Sequence, residues 1–282
     1  MSSVAEGRIT GSPVTSVTVG VLRTEDDVLI EAVYEPCTSG ESDTAIVIAH
    51  GFTGSAGRPS VRRAARVFAG HAAVVTFSFR GHGGSGGRST VGDREVLDLA
   101  AAVAWARSLG HRRVVTAGFS MGGSVALRHA ALYGAVGAAH AVGFPPHAQA
   151  HGGHNGAHTD AVAAVSAPAR WYYRGTPPMR RVHWVVTRPL GRLVGRYGFG
   201  TRIHHEEWDP VPLSPVEAVP LIAPTPLLIV HGHRDPYFPL DHPRMLAAAG
   251  PSELWLEPGM GHAENAADDA LLDRLARWLV RA

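Results

Sequence analysis

The 282-residue chain is long enough to bury a substantial core, as one large domain or as one domain carrying an insertion. A hydrophobic content of 45% with 18% charged residues excludes a disordered chain, and a formal net charge of +2 gives no ground for a nucleic-acid partner. All 26 basic residues are arginine, which excludes a Walker-type phosphate lysine and Schiff-base catalysis.

Met1 to Gly20 lacks the apolar centre of a secretion signal, and no run approaches the ~18 apolar residues of a membrane span. The single cysteine, Cys37, has no partner for an internal disulfide, so a cytoplasmic setting is expected. Val14 to Leu22 and Val28 to Tyr34 alternate apolar and polar residues around Glu25-Asp26-Asp27, which predicts an antiparallel hairpin. Ala45 to Ala49 and Val74 to Phe79 are short continuous apolar runs, the pattern of strands buried on both faces; a helix from Ser60 to Ala69 separates them. Asp93 is the expected cap of a helix running to about Ser108. Then come a strand from Arg113 to Ala117, a helix, and a strand from Ala135 to Val142. The alternation resumes with a strand at Pro226 to Val230, a helix near Leu240 to Ala249, a strand at Glu253 to Leu256 and a final amphipathic helix from Asp268 to Val280. Such alternation predicts a mostly parallel, twisted sheet of about eight strands with helices on both faces. The expected core is therefore 1–142 with 225–282, and 143–224 is expected to be an inserted lid, being too long for a plain connection.

Gly118-Phe119-Ser120-Met121-Gly122 sits where a strand turns into a helix, so this G-x-S-x-G reads as a nucleophile elbow. The turn is so tight that a Cβ at either flanking position would meet backbone, hence the glycines. A serine nucleophile needs a base, and the base an orienting acid. Both belong on loops past the carboxyl ends of strands. Asp235 lies in such a loop after Leu227 to Val230, and His262 ends the glycine-rich loop after Leu254 to Leu256. Asp209 is the competing acid, and His231 and His233 are the competing bases.

With the elbow, the order Ser120, Asp235, His262, the run His50-Gly51-Phe52-Thr53-Gly54-Ser55 after the third strand and Arg80-Gly81-His82-Gly83-Gly84-Ser85 after the fourth, the chain resembles the α/β-hydrolase fold family of esterase- and lipase-like serine hydrolases. The likeness spans nearly the whole chain except the insertion. It implies an oxyanion hole from the backbone N–H groups of Phe52 and Met121, and cleavage of a carboxylic ester of small or moderate size through an acyl-enzyme, with no cofactor. A thioesterase, a serine peptidase, a C–C bond hydrolase and a non-catalytic binding protein of the same fold are the alternatives.

Gly81 to Gly86 also matches G-x-G-x-x-G, but the helix expected to follow starts seven residues beyond Gly86, too far to receive a dinucleotide phosphate; a flexible rim loop is expected instead. His147, His151, His154 and His158 are interspersed with glycines that cannot hold a helix rigid, so a solvated loop is expected and no metal site. Ala161 to His205 carries eight arginines and no acid. Arg188, Arg192 and Arg196 recur every fourth residue and are expected to share one helix face. Arg188 and Arg192, with Trp184, are the candidate substrate contacts, drawing an anionic acyl substrate to the lid.

Overall fold

Strands that run as unbroken apolar segments need cover on both faces, and the computed structural model, which describes residues 16–134 and 156–282, shows that cover. Among the described residues the strands are β1 (Thr18–Arg23), β2 (Leu29–Glu35), β3 (Thr44–Ala49), β4 (Ala73–Phe77), β5 (Arg113–Phe119), β6 (Val162–Val165), β7 (Leu227–Gly232) and β8 (Glu253–Glu257). They form one sheet in the order β1-β2-β4-β3-β5-β6-β7-β8. β2 pairs antiparallel with both of its neighbours, and every other pairing is parallel.

Successive residues of β3 enter opposite cores. Ala45, Val47 and Ala49 pack with α2 (Glu95–Ser108), α3 (Met121–Tyr133) and α7 (Asp241–Ala249); Ile46 and Ile48 pack with α1 (Pro59–Phe68) and α9 (Asp269–Arg281). That alternation is the period-two geometry of a strand sandwiched between helical layers. Between β6 and β7 lie α4 (Pro177–Thr187), α5 (Pro189–Gly198) and the short α6 (Pro215–Ala218), while α8 (Ala263–Ala266) follows β8.

The chain leaves β3 for β4 on one side, whereas β5 leads on to β6 on the other. The carboxyl ends of β3 and β5 therefore flank a topological switch point, where open α/β sheets bind ligands. Ala49 at the end of β3 pairs with Gly118 near the end of β5, which brings His50-Gly51-Phe52 beside Ser120.

Several expectations change. The sheet strand β6 lies inside the stretch 143–224 assigned to the insertion, and Ala218, Val219 and Ile222 also pack in the core. At four residues, half of them alanine, β6 is too short to stand out as a pattern. Among the described residues the excursion away from the sheet runs between β6 and α6. The strand expected at Ala135 to Val142, together with His147, His151 and His154, lies outside the described residues; His158 is surface-exposed beside Arg107. Asp93 caps no helix: α2 begins at Glu95, and Asp93 instead stands 3.5 Å from the Arg128 guanidinium.

Candidate active site

Ser120 closes β5 and opens α3 with φ 52° and ψ −114°, a left-handed conformation that a serine adopts only under constraint. The constraint is visible on both sides of the turn. A Cβ on Gly122 would land on the carbonyl of Ala49, and one on Gly118 on the carbonyl of Gly122. The Ser120 N–H donates to the Val165 carbonyl of β6 at 2.8 Å. Held in this way, the hydroxyl stands clear of the sheet at the first turn of α3.

His262 Nε2 lies 2.8 Å from Ser120 Oγ, and His262 Nδ1 lies 2.7 Å from Asp235 Oδ2. With Nδ1 protonated and donating to the carboxylate, Nε2 is left to accept the serine proton. The Asp235 side chain is 0% exposed. Its Oδ1 accepts the N–H groups of Tyr237 (2.8 Å) and Phe238 (3.1 Å). Burial pushes the Asp235 carboxyl up, but the hydrogen bond and attraction from His262 and the N–H donors of Phe238 and Tyr237 outweigh it and hold the group below its usual value. It is thus an anion under the imidazole, whose ring is covered by Tyr237 at 4.3 Å between centroids. Asp209 is exposed, as is His233, and His231 is buried on the Phe238 carbonyl at 2.9 Å.

The Gly51-Phe52 turn runs beside the serine, with a Cβ on Gly51 falling 3.4 Å from Ser120 Cβ. His50 anchors that turn. Its Nδ1 donates to the Gly51 carbonyl (2.8 Å) and its Nε2 accepts the Phe79 N–H (3.0 Å), linking the loop after β3 to the loop after β4. Both bonds use the neutral ring, and burial lowers its pKa to about 3. Met121 occupies the first position of α3, where a backbone N–H has no partner within its own helix. Phe52 and Met121 both line the cleft at Ser120.

Two side chains that hold this arrangement were not legible beforehand. Ser166, at φ 53° just past β6, accepts the Ala263 N–H at 3.0 Å, so it fixes the residue after His262. Glu264, 4% exposed, accepts the Gly51 N–H at 3.3 Å and ties the histidine loop to the Gly51-Phe52 turn. Burial raises its pKa above the usual carboxyl value. Ser166 could not be found without β6; for Glu264 the one signal was a carboxylate two residues past His262.

The loop expected to be a flexible rim is instead firmly held. His82 and Ser85 are 0% and 1% exposed, and a Cβ on Gly81, at φ 76°, would strike Arg202 and Ser89 backbone. Arg80 binds Asp98 through Nε (2.9 Å) and Asp26 through its terminal nitrogens (2.6 and 2.8 Å). Beyond the loop, the buried Glu95 carboxylate accepts from Ser89 Oγ, from Thr90 Oγ1 and from the N–H groups of Thr90, Val91 and Gly92. Ser89 to Val91 thereby forms a set part of the cleft wall.

The cleft above Ser120 encloses about 870 Å³, a size suited to a small organic ligand. Trp171, Tyr172 and Trp208 form an aromatic wall, with Trp171 and Trp208 5.1 Å apart. Of the three candidate contacts in the excursion, Arg192 lines the cleft, whereas Arg188 and Trp184 are exposed and stand outside its lining. The reason is a break in the helix. Pro189 cannot continue α4, so Arg188 has extended backbone between α4 and α5 and does not share one face with Arg192 and Arg196. Arg174 and Arg181 line the cleft in addition, and Glu206 and Glu207 lie in the same lining. Among the described residues no group of three or more His, Cys, Asp or Glu side chains is placed to hold a metal ion, and no helix is long and apolar enough to cross a membrane.

A family model described as the alpha/beta hydrolase family matches residues 46–274. The chain belongs to the alpha/beta hydrolase family. Solved structures agree on this fold. The Pyrococcus furiosus esterase Pf2001 is 21% identical with a TM-score of 0.67, covering 98% of this chain and 99% of that one. The esterase domain of a Rhodothermus marinus protein is 19% identical with a TM-score of 0.61 over 94% of this chain and 99% of its own. Est1E of Butyrivibrio proteoclasticus, solved with ferulic acid bound, is 16% identical with a TM-score of 0.60 over 93% of this chain and 100% of its own. No curated protein sequence matches significantly. Within this hydrolase, then, the hydrogen-bonded Ser120, His262 and Asp235 lie at the sheet's switch point, facing the cleft.

Proposed function

We propose that this hydrolase cleaves a carboxylic ester of small or moderate size through an acyl-enzyme on Ser120. The observation that carries the reading is the unbroken relay from buried Asp235 through His262 to the Ser120 hydroxyl, opening on the 870 Å³ cleft. His262 Nε2 takes the hydroxyl proton as Ser120 Oγ attacks the ester carbonyl. The resulting oxyanion lies between the N–H groups of Phe52 and Met121, two fixed dipoles that commonly contribute about 3–4 kcal/mol each to the transition state. His262 then protonates the leaving alcohol. Water, deprotonated by the same nitrogen, releases the acid. Asp235 holds the ring tautomer and stabilises the imidazolium throughout.

The excursion carrying α4 and α5 serves as the lid in this reading, since it supplies one side of the cleft. Its aromatic wall favours a flat, apolar group on the ester. Arg174, Arg181 and Arg192, which make no ion pair among the described residues, favour an anionic one as well. The fold and the esterases among its structural neighbours support the ester class; thioesters and amides would travel the same acyl-enzyme route.

The test is covalent. A fluorophosphonate probe should label the protein at Ser120, and Ser120→Ala should abolish the label and lower kcat by at least about 10⁴-fold. A folded wild-type protein that takes no label would overturn the reading. A panel of p-nitrophenyl esters, thioesters and aminoacyl anilides then ranks the bond cleaved.

A further inference from the structure

A surface helix normally turns its apolar stripe inward and its polar residues out. Helix α5, Pro-Leu-Gly-Arg-Leu-Val-Gly-Arg-Tyr-Gly, does the reverse. Its inward face is made of Gly191 and Gly195, both buried. A Cβ on Gly191 would collide with the Trp184 carbonyl of α4, and one on Gly195 would lie 3.0 Å from Ile203 Cδ1. This glycine contact brings α5 tightly against α4 and leaves the apolar side chains facing solvent. Leu190, Leu193, Val194 and Tyr197, at i, i+3, i+4 and i+7, are 64%, 52%, 39% and 77% exposed. Trp184 of α4 adds a further half-exposed ring.

The margins of this stripe are cationic. Arg188 and Arg196 are exposed at the two ends of the same segment, Arg180 is exposed on α4, and no acidic residue occurs from 161 to 205. The Arg196 guanidinium lies 5.4 Å from the Tyr197 ring centre, so its charge sits at the level of the aromatic ring.

We propose that the outer face of α4 and α5 docks on an anionic phospholipid bilayer surface. Such a surface offers apolar depth for the leucine, valine and aromatic side chains, with negative headgroups for the flanking arginines. Arginine stems reach from the apolar margin to the headgroups, and tryptophan and tyrosine favour the same boundary. At ten residues α5 is about 15 Å long, which suits lying in the interface and not crossing it. A second copy of the chain is the poorer occupant, because a two-fold contact through this face would set its arginines against their own counterparts. The inward side of the same helices lines the cleft, with Met179, Val182 and Val186 among its lining. Docking would therefore hold the cleft within about one helix diameter of the headgroups, roughly 10 Å. The proposal stands apart from what Ser120 does.

The experiment is co-sedimentation of the full-length protein with sucrose-loaded vesicles of phosphatidylcholine alone or of phosphatidylcholine and phosphatidylglycerol in equal parts. At 0.1 M salt, partitioning onto the anionic vesicles should exceed that onto neutral ones at least ten-fold. Leu193→Ser with Tyr197→Ser should lower it at least ten-fold on the anionic vesicles. Arg188→Gln with Arg196→Gln should lower it and flatten its salt dependence. All four positions are exposed and outside the cleft lining, so the melting temperature and the labelling of Ser120 should be unchanged in both variants. Equal partitioning on the two vesicle types, or a Leu193/Tyr197 variant that binds as the parent does, would overturn the proposal. So would light scattering that shows a dimer dissolved by these substitutions in a protein that binds no vesicle, an outcome that assigns the face to a second copy.

Discussion

At Glu264 a buried carboxyl stands between two loops whose separation matters: the one carrying His262 and the one carrying Gly51 and Phe52. Glu264→Ala removes the bridge to the Gly51 N–H, a loss of about 1–2 kcal/mol for a buried hydrogen bond. The expected outcome is a kcat for p-nitrophenyl acetate lowered about ten-fold with KM nearly unchanged, because the turn would hold the transition-state oxyanion and not the ground-state ester. Glu264→Gln keeps an acceptor for Gly51 and should restore most of the rate. Equal impairment in the two variants would show that the bridge does not position the turn. Ser120, Asp235 and His262 were legible because each is punctuated locally, by glycine or proline beside a strand end. Ser166 and Glu264 were not, since each acts through a partner far along the chain: Ser166 through Ala263, and Glu264 through Gly51. The four-residue spacing that puts Arg188 on one face with Arg192 and Arg196 is interrupted by Pro189.

Between elements, Arg80 ties the end of β4 to α2 through Asp98 and to the β1–β2 turn through Asp26. Arg80 and Asp98 are almost wholly buried, with side chains 3% and 0% exposed. Asp98→Ala leaves the guanidinium with its outer partner alone, and breaking a buried pair in this way costs about 3–5 kcal/mol. Urea unfolding should report a loss of that size; a change below about 1 kcal/mol would mean that Asp26 suffices. Helices α4 and α5 give a second expectation. Arg181→Glu with Arg192→Glu should raise KM for an anionic ester about two- to five-fold more than for its neutral analogue, the scale of partly exposed charges. Equal effects on both esters would leave these arginines with no part in substrate choice. Most elements could be read from their periodicity. β6 could not, because Val-Ala-Ala-Val carries too little pattern, so the insertion expected at 143–224 takes in a sheet strand.

For the molecule as a whole, acid should be the weak direction. Burial lowers the pKa of His50 and His129 to about 3 and of His242 to about 4. Each stays neutral when folded, while the unfolded chain takes up a proton below about pH 6.5. Their stabilising contribution is therefore fully present above that pH and is lost as pH falls toward the folded values. The loss amounts to ~1–2 kcal/mol per histidine by pH 5. These histidines should lower urea-derived stability between pH 7 and pH 5, partly offset by buried carboxyls such as Glu264 whose pKa burial raises; a pH slope unchanged in His129→Gln would mean that this ring is hydrated in solution. That the chain forms a mostly parallel sheet was legible from the strand-helix alternation; its switch point was not. Which strands meet there depended on long-range pairing that no local pattern encodes.

Val165 and Ser166 are consecutive residues at the end of β6, yet the first receives the Ser120 N–H and the second receives the Ala263 N–H beside His262. The Val165 carbonyl and the Ser166 hydroxyl thus act together as a gauge block between the proposed nucleophile and the proposed base. Any change that shifts β6 along its neighbours would alter the gap between Ser120 and His262 while leaving both residues untouched. Reactivity at Ser120 should therefore respond to changes in a strand whose residues lie outside the cleft lining.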